Sequence, residues 1–156
     1  IIKKLEAFDT ADITYYNRSR HQEFEKEYNI SYMPLDDVMK ESDVLFLCVP
    51  EQAGINFIGA RELSLMKSGA LLVSSSHSGL IDEDALLPKL QSGKIRVAVD
   101  FPLKQNGYSD LPLSVAYFSN GQNAFNTNAG IRRASDTVTE SMINLLNGKS
   151  DQYKAN

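Results

Sequence analysis

The sequence predicts an α/β domain built on a parallel sheet, and three observations carry that prediction. Segments of strand and helix character alternate along the 156 residues, the arrangement that places consecutive strands side by side with helices packed on the sheet. The clearest strand segments, 44–49, 70–73 and 96–99, are short, largely apolar runs, as expected of strands covered on both faces. Two of these runs end on polar groups, Ser74 to His77 and Asp100, as strands do where they leave a buried sheet.

Each element follows from its own pattern. In residues 1–8, Ile1, Leu5 and Phe8 share one helical face beside the charged Lys3, Lys4 and Glu6, so a helix is expected. Residues 13–16 form a strand that leads into Asn17, Arg18, Ser19 and Arg20. Helical character returns over 21–28, a brief strand follows at 31–33, and 35–41 is another helix. The run 44–49 is the most apolar strand, and Cys48 within it reads as a small core residue. After Pro50, residues 59–66 form a helix for which Gly69 is the expected stop. The strand 70–73 delivers Ser74, Ser75, Ser76 and His77 to the sheet edge. Asp82 then caps a helix whose first turn carries Glu83 and Asp84, both favourable at the positive end of the helix dipole. The strand 96–99 ends on Asp100, and residues 131–146 place Ile131, Val138, Met142, Leu145 and Leu146 on one face of a final helix returning along the sheet.

Composition narrows the function. Sixteen basic against twenty acidic residues give a net charge of -4, which offers no general attraction to nucleic acid or anionic membranes. The single cysteine, Cys48, permits no disulfide within one chain, consistent with a reducing compartment. No apolar run reaches the length of a membrane span. One domain in a cytoplasmic protein is the expectation.

In an open parallel sheet, ligands bind outside the carboxyl ends of the strands. The serine cluster Ser74, Ser75, Ser76 and the carboxylate of Asp100 end neighbouring strands, so they should share one crevice.

The strings LLVSSSHSGLIDEDAL, LQSGKI, AVD, LDDVMKESDVLFLCVP, ELSLMKSGA and NLLNGK together resemble the nucleotide-binding domain of the D-isomer-specific 2-hydroxyacid dehydrogenases, of the glyoxylate/hydroxypyruvate reductase kind. The resemblance implies a Rossmann-type doubly wound parallel sheet, NADP (or NAD) as cofactor, a small 2-hydroxy or 2-keto acid as substrate, and a homodimer. In that fold the first strand and its GxGxxG turn lie at the switch point, and this chain contains neither. The strands at 13–16 and 44–49 are therefore expected to lack the strand between them, leaving a half sheet with unpaired edges that should not fold alone. The chain is expected to be a partial nucleotide-binding domain of a longer polypeptide with a separate substrate domain.

The resemblance also assigns positions. At the end of the second strand, Asn17 stands where NAD enzymes place an acid for the ribose hydroxyl, and Arg18, Ser19 and Arg20 supply donors suited to a 2′-phosphate. A preference for NADP(H) follows. Val49 and Pro50 match the family's Val-Pro beside the cofactor, whereas the PEQAGINF loop departs from the family's next motif. Three catalytic positions depart as well. The carboxylate-binding arginine is replaced by His77, the glutamate by Gln105, and the acid-base histidine by Thr127, with Asn126 and Asn128 as alternative alignments. His77 lacks a guanidinium's bidentate fork, Gln105 cannot ionise, and Thr127 exchanges no proton near neutral pH. Two readings follow: an NADP(H)-dependent oxidoreductase with degenerate catalytic positions, His77 being a possible relocated acid-base group, or an inactive nucleotide-binding homologue acting as a binding or regulatory module. His21 opens a charged helix and is expected to be solvated.

Overall fold

Three of the expected strand segments and one further strand settle side by side with every ladder parallel. The computed structural model describes residues 1–8, 12–104, 106–119 and 127–147. Strands β1 (Thr14–Tyr15) and β2 (Ser31–Tyr32) make one small sheet. Strands β3 (Val44–Leu47), β4 (Leu71–Ser74), β5 (Arg96–Val99) and β6 (Ala116–Phe118) make the larger one, in that order. Among the described residues no ladder joins β1 to β3. The predicted α/β class and parallel sheet are both observed.

The helices alternate with the strands up to β5, and β6 follows β5 with no helix between them among the described residues. They are α1 (Ile2–Leu5), α2 (Gln22–Tyr28), α3 (Leu35–Glu41), α4 (Ala60–Leu65), α5 (Glu83–Gln91) and α6 (Asn128–Leu146). Asp82 caps α5 as its sequence requires, its Oδ1 accepting from the Ala85 N–H at 3.1 Å. Leu86 and Leu90 then face inward with Leu63 of α4, Leu72 of β4 and Ile95. Each such burial contributes about 2 kcal/mol, so stability is concentrated on the larger sheet. Among the described residues up to 34, Ile30 is the buried apolar side chain, and the β1–β2 pair has little core of its own.

Several elements differ from expectation. The run 44–49, read as a strand covered on both faces, has Val44 48% exposed, because β3 is an edge strand among the described residues, as the expected lack of a strand between 13–16 and 44–49 implies. Hydrophobicity alone does not reveal whether a neighbouring strand covers the run. For the same reason Cys48, expected in the core, is exposed. Helix α4 ends at Met66, whose backbone is extended and whose side chain is buried, before Gly69 is reached. Gly69 instead takes φ +84 in the turn into β4, its N–H donating to the Lys94 carbonyl at 2.6 Å. Strand β6 was not anticipated, since only three residues of mixed polarity pair with β5. On α6, Ile131, Val138 and Met142 share the expected face but stand more than half exposed, so among the described residues that face packs against no core.

The segment after β5 also hides a core residue. Tyr108 is buried, and its hydroxyl donates to the Glu83 carbonyl at 2.7 Å, while the Lys104 N–H donates to Glu83 Oε2 at 2.8 Å. Burial is the main reason its phenol is pushed well above the ordinary range. Tyr108→Phe should lower unfolding free energy by about 1 kcal/mol through the lost hydrogen bond. Tyr108→Ala should lower it by about 3 to 5 kcal/mol through the cavity it leaves. Equal losses for both variants in chemical denaturation would contradict a packing role for the ring.

Candidate functional site

The site is set by strand register. Leu47 pairs with Ser74, and Ser74 pairs with Val99, so the next residues, Cys48, Ser75 and Asp100, leave three neighbouring strands at one level. They line a cavity of about 300 Å³ with Phe46, Val73, Ala98, Tyr117 and Ile1. The lining is mainly apolar, with Ser74, Ser75 and Asp100 as its polar members. The sequence expectation that Ser75 and Asp100 share one crevice is met.

Hydrogen bonds decide which serine faces outward. Ser74 is buried, its carbonyl accepts from the Asp100 N–H at 2.9 Å, and its Oγ accepts from the Ser76 N–H at 3.2 Å. The Ser76 hydroxyl donates to the Leu47 carbonyl at 3.0 Å. Ser74 and Ser76 thus fasten the bend to its neighbours, and Ser75 is left exposed between them. Cys48 shares the crevice, where partial burial pushes its thiol up. A thiol held protonated is a poor nucleophile.

The loops beyond β3 and β4 are stitched together. Asn56 and Ile58 N–H groups donate to the Gly79 and Leu80 carbonyls, both at 2.8 Å, and the Asp82 N–H donates to the Ile58 carbonyl at 3.0 Å. Val49 packs against the core and Pro50 is exposed at the start of the turn 51–53. His77 is exposed and lies outside the residues lining the crevice. Its Nδ1 accepts from the Gly79 N–H at 3.2 Å, and its Nε2 lies 3.6 Å from Glu51 Oε1. In the neutral ring the proton therefore sits on Nε2, facing Glu51.

At the end of β1 a second group assembles. Asn17 Oδ1 accepts from the Arg18 N–H at 2.9 Å, and Arg18 and Ser19 are exposed. Arg20 is not free. Its Nε and Nη2 both donate to Glu25 at 2.8 Å, and its guanidinium lies over the Tyr32 ring at 5.8 Å. The Tyr15 hydroxyl donates to Glu25 Oε1 at 3.0 Å and accepts from the His21 N–H at 2.9 Å. The Arg20 hydrogen bonds hold the Glu25 carboxyl below its usual range, and burial pushes the Tyr15 phenol up. His21, expected to be solvated, is half-buried, its ring tilted against Phe24 at 5.4 Å. Asn17 lines a separate, mainly apolar cavity of about 340 Å³ with Tyr15, His21, Phe24 and Tyr28.

The remaining expected positions fall apart from these groups. Thr127 opens α6 with its Oγ1 accepting from the Gly130 N–H at 3.0 Å, a capping contact. Asn128 is the exposed first residue of α6. Gln105 and Asn126 lie outside the described residues. Sequence reasoning missed Glu25, Tyr15 and Tyr117. Arg20 and Glu25 are five residues apart across a loop-to-helix boundary, where no periodic spacing marks a pair, and Tyr117 came with the unanticipated β6.

A parallel sheet flanked by helices, with a crevice at its carboxyl edge, defines an α/β domain of the Rossmann type. Residues 1–115 match the family described as D-isomer specific 2-hydroxyacid dehydrogenase, NAD binding domain, and the chain belongs to that family. Glyoxylate reductases from Thermococcus gammatolerans and Aeropyrum pernix are 40% and 39% identical over 84 and 87 residues. Those stretches cover 53% and 55% of this chain but only 25% and 26% of the relatives. Among solved structures, D-mandelate dehydrogenase from Rhodotorula graminis superposes with a TM-score of 0.88 at 18% identity, covering 99% of this chain and 47% of that one. An acyclic imino acid reductase in complex with NADPH and D-Arg gives 0.80 at 22% identity over 95% of this chain and 47% of that one. The structures establish the fold, and this chain spans about half their length. Among the described residues no helix is long and apolar enough to cross a membrane, and no group of acidic, histidine or cysteine side chains has the arrangement of a metal site.

The carboxylates here titrate lower in the folded chain than in the unfolded one, Glu25 through Arg20 and Asp36 through hydrogen bonds from Arg61. Their stabilisation is complete above the unfolded value of about 4 and is lost as pH falls through the lower folded values. Thermal midpoints should be level from about pH 7 to 5 and decline below about pH 4. Glu25→Gln should flatten part of that decline; an unchanged profile would remove Glu25 from the account.

Proposed function

We propose that this chain is the nucleotide-binding part of an NADP(H)-dependent oxidoreductase that interconverts a small 2-hydroxy acid and its 2-keto acid. The observation that carries the proposal is the meeting of Ser75 and Asp100 in one crevice at the carboxyl edge of the sheet, within a chain of this family. The residues fit a dinucleotide. The crevice is lined mainly by apolar side chains, suited to a flat ring, with Ser75 and Asp100 as polar partners, and Val49 and Pro50 follow β3 at the same edge of the sheet. Arg18, Ser19 and Asn17 at the end of β1 supply cation and hydroxyl groups for a 2′-phosphate. When bound, the cofactor supplies or accepts the hydride. Substrate and proton transfer belong to a longer polypeptide with a separate substrate domain, a reading supported by the fraction of each relative that this chain spans, and a homodimer is the assembly proposed for it.

A second reading, an inactive nucleotide-binding homologue, is favoured by one specific feature. His77 accepts at Nδ1 from backbone and faces Glu51 through Nε2, and Thr127 is committed to a helix cap. Neither is poised to pass a proton to a substrate in the crevice. General acid-base groups typically contribute about 10² to 10⁴ in rate, so turnover should be slow even if binding is intact. The full protein should bind NADPH more tightly than NADH in fluorescence titrations. It should oxidise NADPH slowly with glyoxylate, hydroxypyruvate or pyruvate. Binding without turnover selects the second reading, and tighter binding of NADH removes the cofactor preference. Loss of turnover in His77→Ala with cofactor affinity retained would identify a relocated acid-base group.

A further inference from the structure

The string Asn17, Arg18, Ser19, Arg20 offers two cations, but the geometry treats them differently. Arg20 spends Nε and one Nη2 hydrogen on a bidentate pair with Glu25, both contacts at 2.8 Å, and stacks on Tyr32. The Glu25 side chain is only 14% exposed, and Tyr15 holds it in place through a 3.0 Å hydrogen bond. Arg18 has no ion-pair partner among the described residues. The pair Arg20–Glu25 therefore sums to about zero charge, and the net positive charge of the loop is that of Arg18.

We propose that Glu25 is a positioning residue that restrains this edge's affinity for a 2′-phosphate. It neutralises Arg20 and presents a fixed carboxylate near any phosphorylated ribose, leaving Arg18 as the cation that discriminates the phosphorylated from the unphosphorylated dinucleotide. This rests on the assignment of the loop after β1 to the ribose end of the cofactor. Three consequences follow from charge alone. A dianionic phosphate feels Glu25 as repulsion, whereas a neutral ribose hydroxyl does not. Removing the Glu25 charge frees the full charge of Arg20 for the phosphate. Removing Tyr15's hydroxyl loosens Glu25 but keeps its charge, and so shifts the balance less than removing the charge itself.

The test is equilibrium binding of NADPH and NADH to the full protein and to Glu25→Gln, Tyr15→Phe and Arg18→Ala, at two salt concentrations. Glu25→Gln should tighten NADPH binding about three- to tenfold, with NADH changed less than twofold, the size expected for one charge several ångströms from a phosphate in partly screened surroundings. It should also steepen the salt dependence for NADPH alone. Arg18→Ala should weaken NADPH about tenfold or more and spare NADH. Tyr15→Phe, which keeps the Glu25 charge, should move the NADPH to NADH ratio less than Glu25→Gln does. A Glu25→Gln variant in which both cofactors weaken alike would make Glu25 a purely structural residue and overturn the proposal, as would an unmoved ratio. If the unaltered protein favours NADH while Glu25→Gln still shifts the ratio toward NADPH, the preference proposed above falls and the role of Glu25 stands. If the unaltered protein binds neither nucleotide, both are overturned.

Discussion

The register of three parallel strands is the constraint on which everything else rests. Pairing of Leu47 with Ser74 and of Ser74 with Val99 brings three strand ends flush. A one-residue slip would reverse which side chains face inward, sending Ser75 and Asp100 to different levels and burying the wrong partners in place of Leu72 and Val97. Burial in turn holds the register, since Leu72, Val97 and Val99 are at most 2% exposed and a one-residue slip would turn them to the other face. Core packing and site geometry are thus one fact viewed from two sides.

Around that edge, polar side chains divide into those used by the fold and those left for a ligand. Ser74 and Ser76 close the bend, His77 and Thr127 satisfy backbone N–H groups at helix starts, and Glu25 secures Arg20. Ser75, Arg18 and Ser19 remain exposed. A hydroxyl or imidazole already accepting from backbone must give up that contact to serve elsewhere, at about 1 kcal/mol for an ordinary hydrogen bond. Residue type alone therefore overstates how much chemistry the site holds.

Much of this was legible in the sequence because it depends on local signals. The Asp82 cap, the short apolar runs of β4 and β5, and the polar residues at their ends each have a nearest-neighbour cause, and the shared crevice followed from the geometry of parallel sheets. What escaped depends on long-range pairing. Cys48 reads as a core residue from the apolar run around it, yet it is exposed just beyond the end of β3, an edge strand among the described residues. Tyr108 is buried because residues after β5 fold back beneath α5, and Arg20 is neutralised because a loop meets the first turns of α2. Neither leaves a period or motif behind.

The two edges that a dinucleotide would span are not equally firm. The crevice stands on four hydrogen-bonded strands with a continuous core, whereas Asn17 to Arg20 hang from a pair of two-residue strands with Ile30 as their buried anchor. Two-stranded pairs are marginal by themselves, and here aromatic contacts of Tyr15 and Tyr16 with Tyr32 and the Arg20–Glu25 pair make up the support. A ligand touching both edges links them and stabilises the weaker one in proportion to its occupancy. The edge after β1 is consequently the less firmly supported of the two, and the Arg20–Glu25 pair is part of what holds it in place.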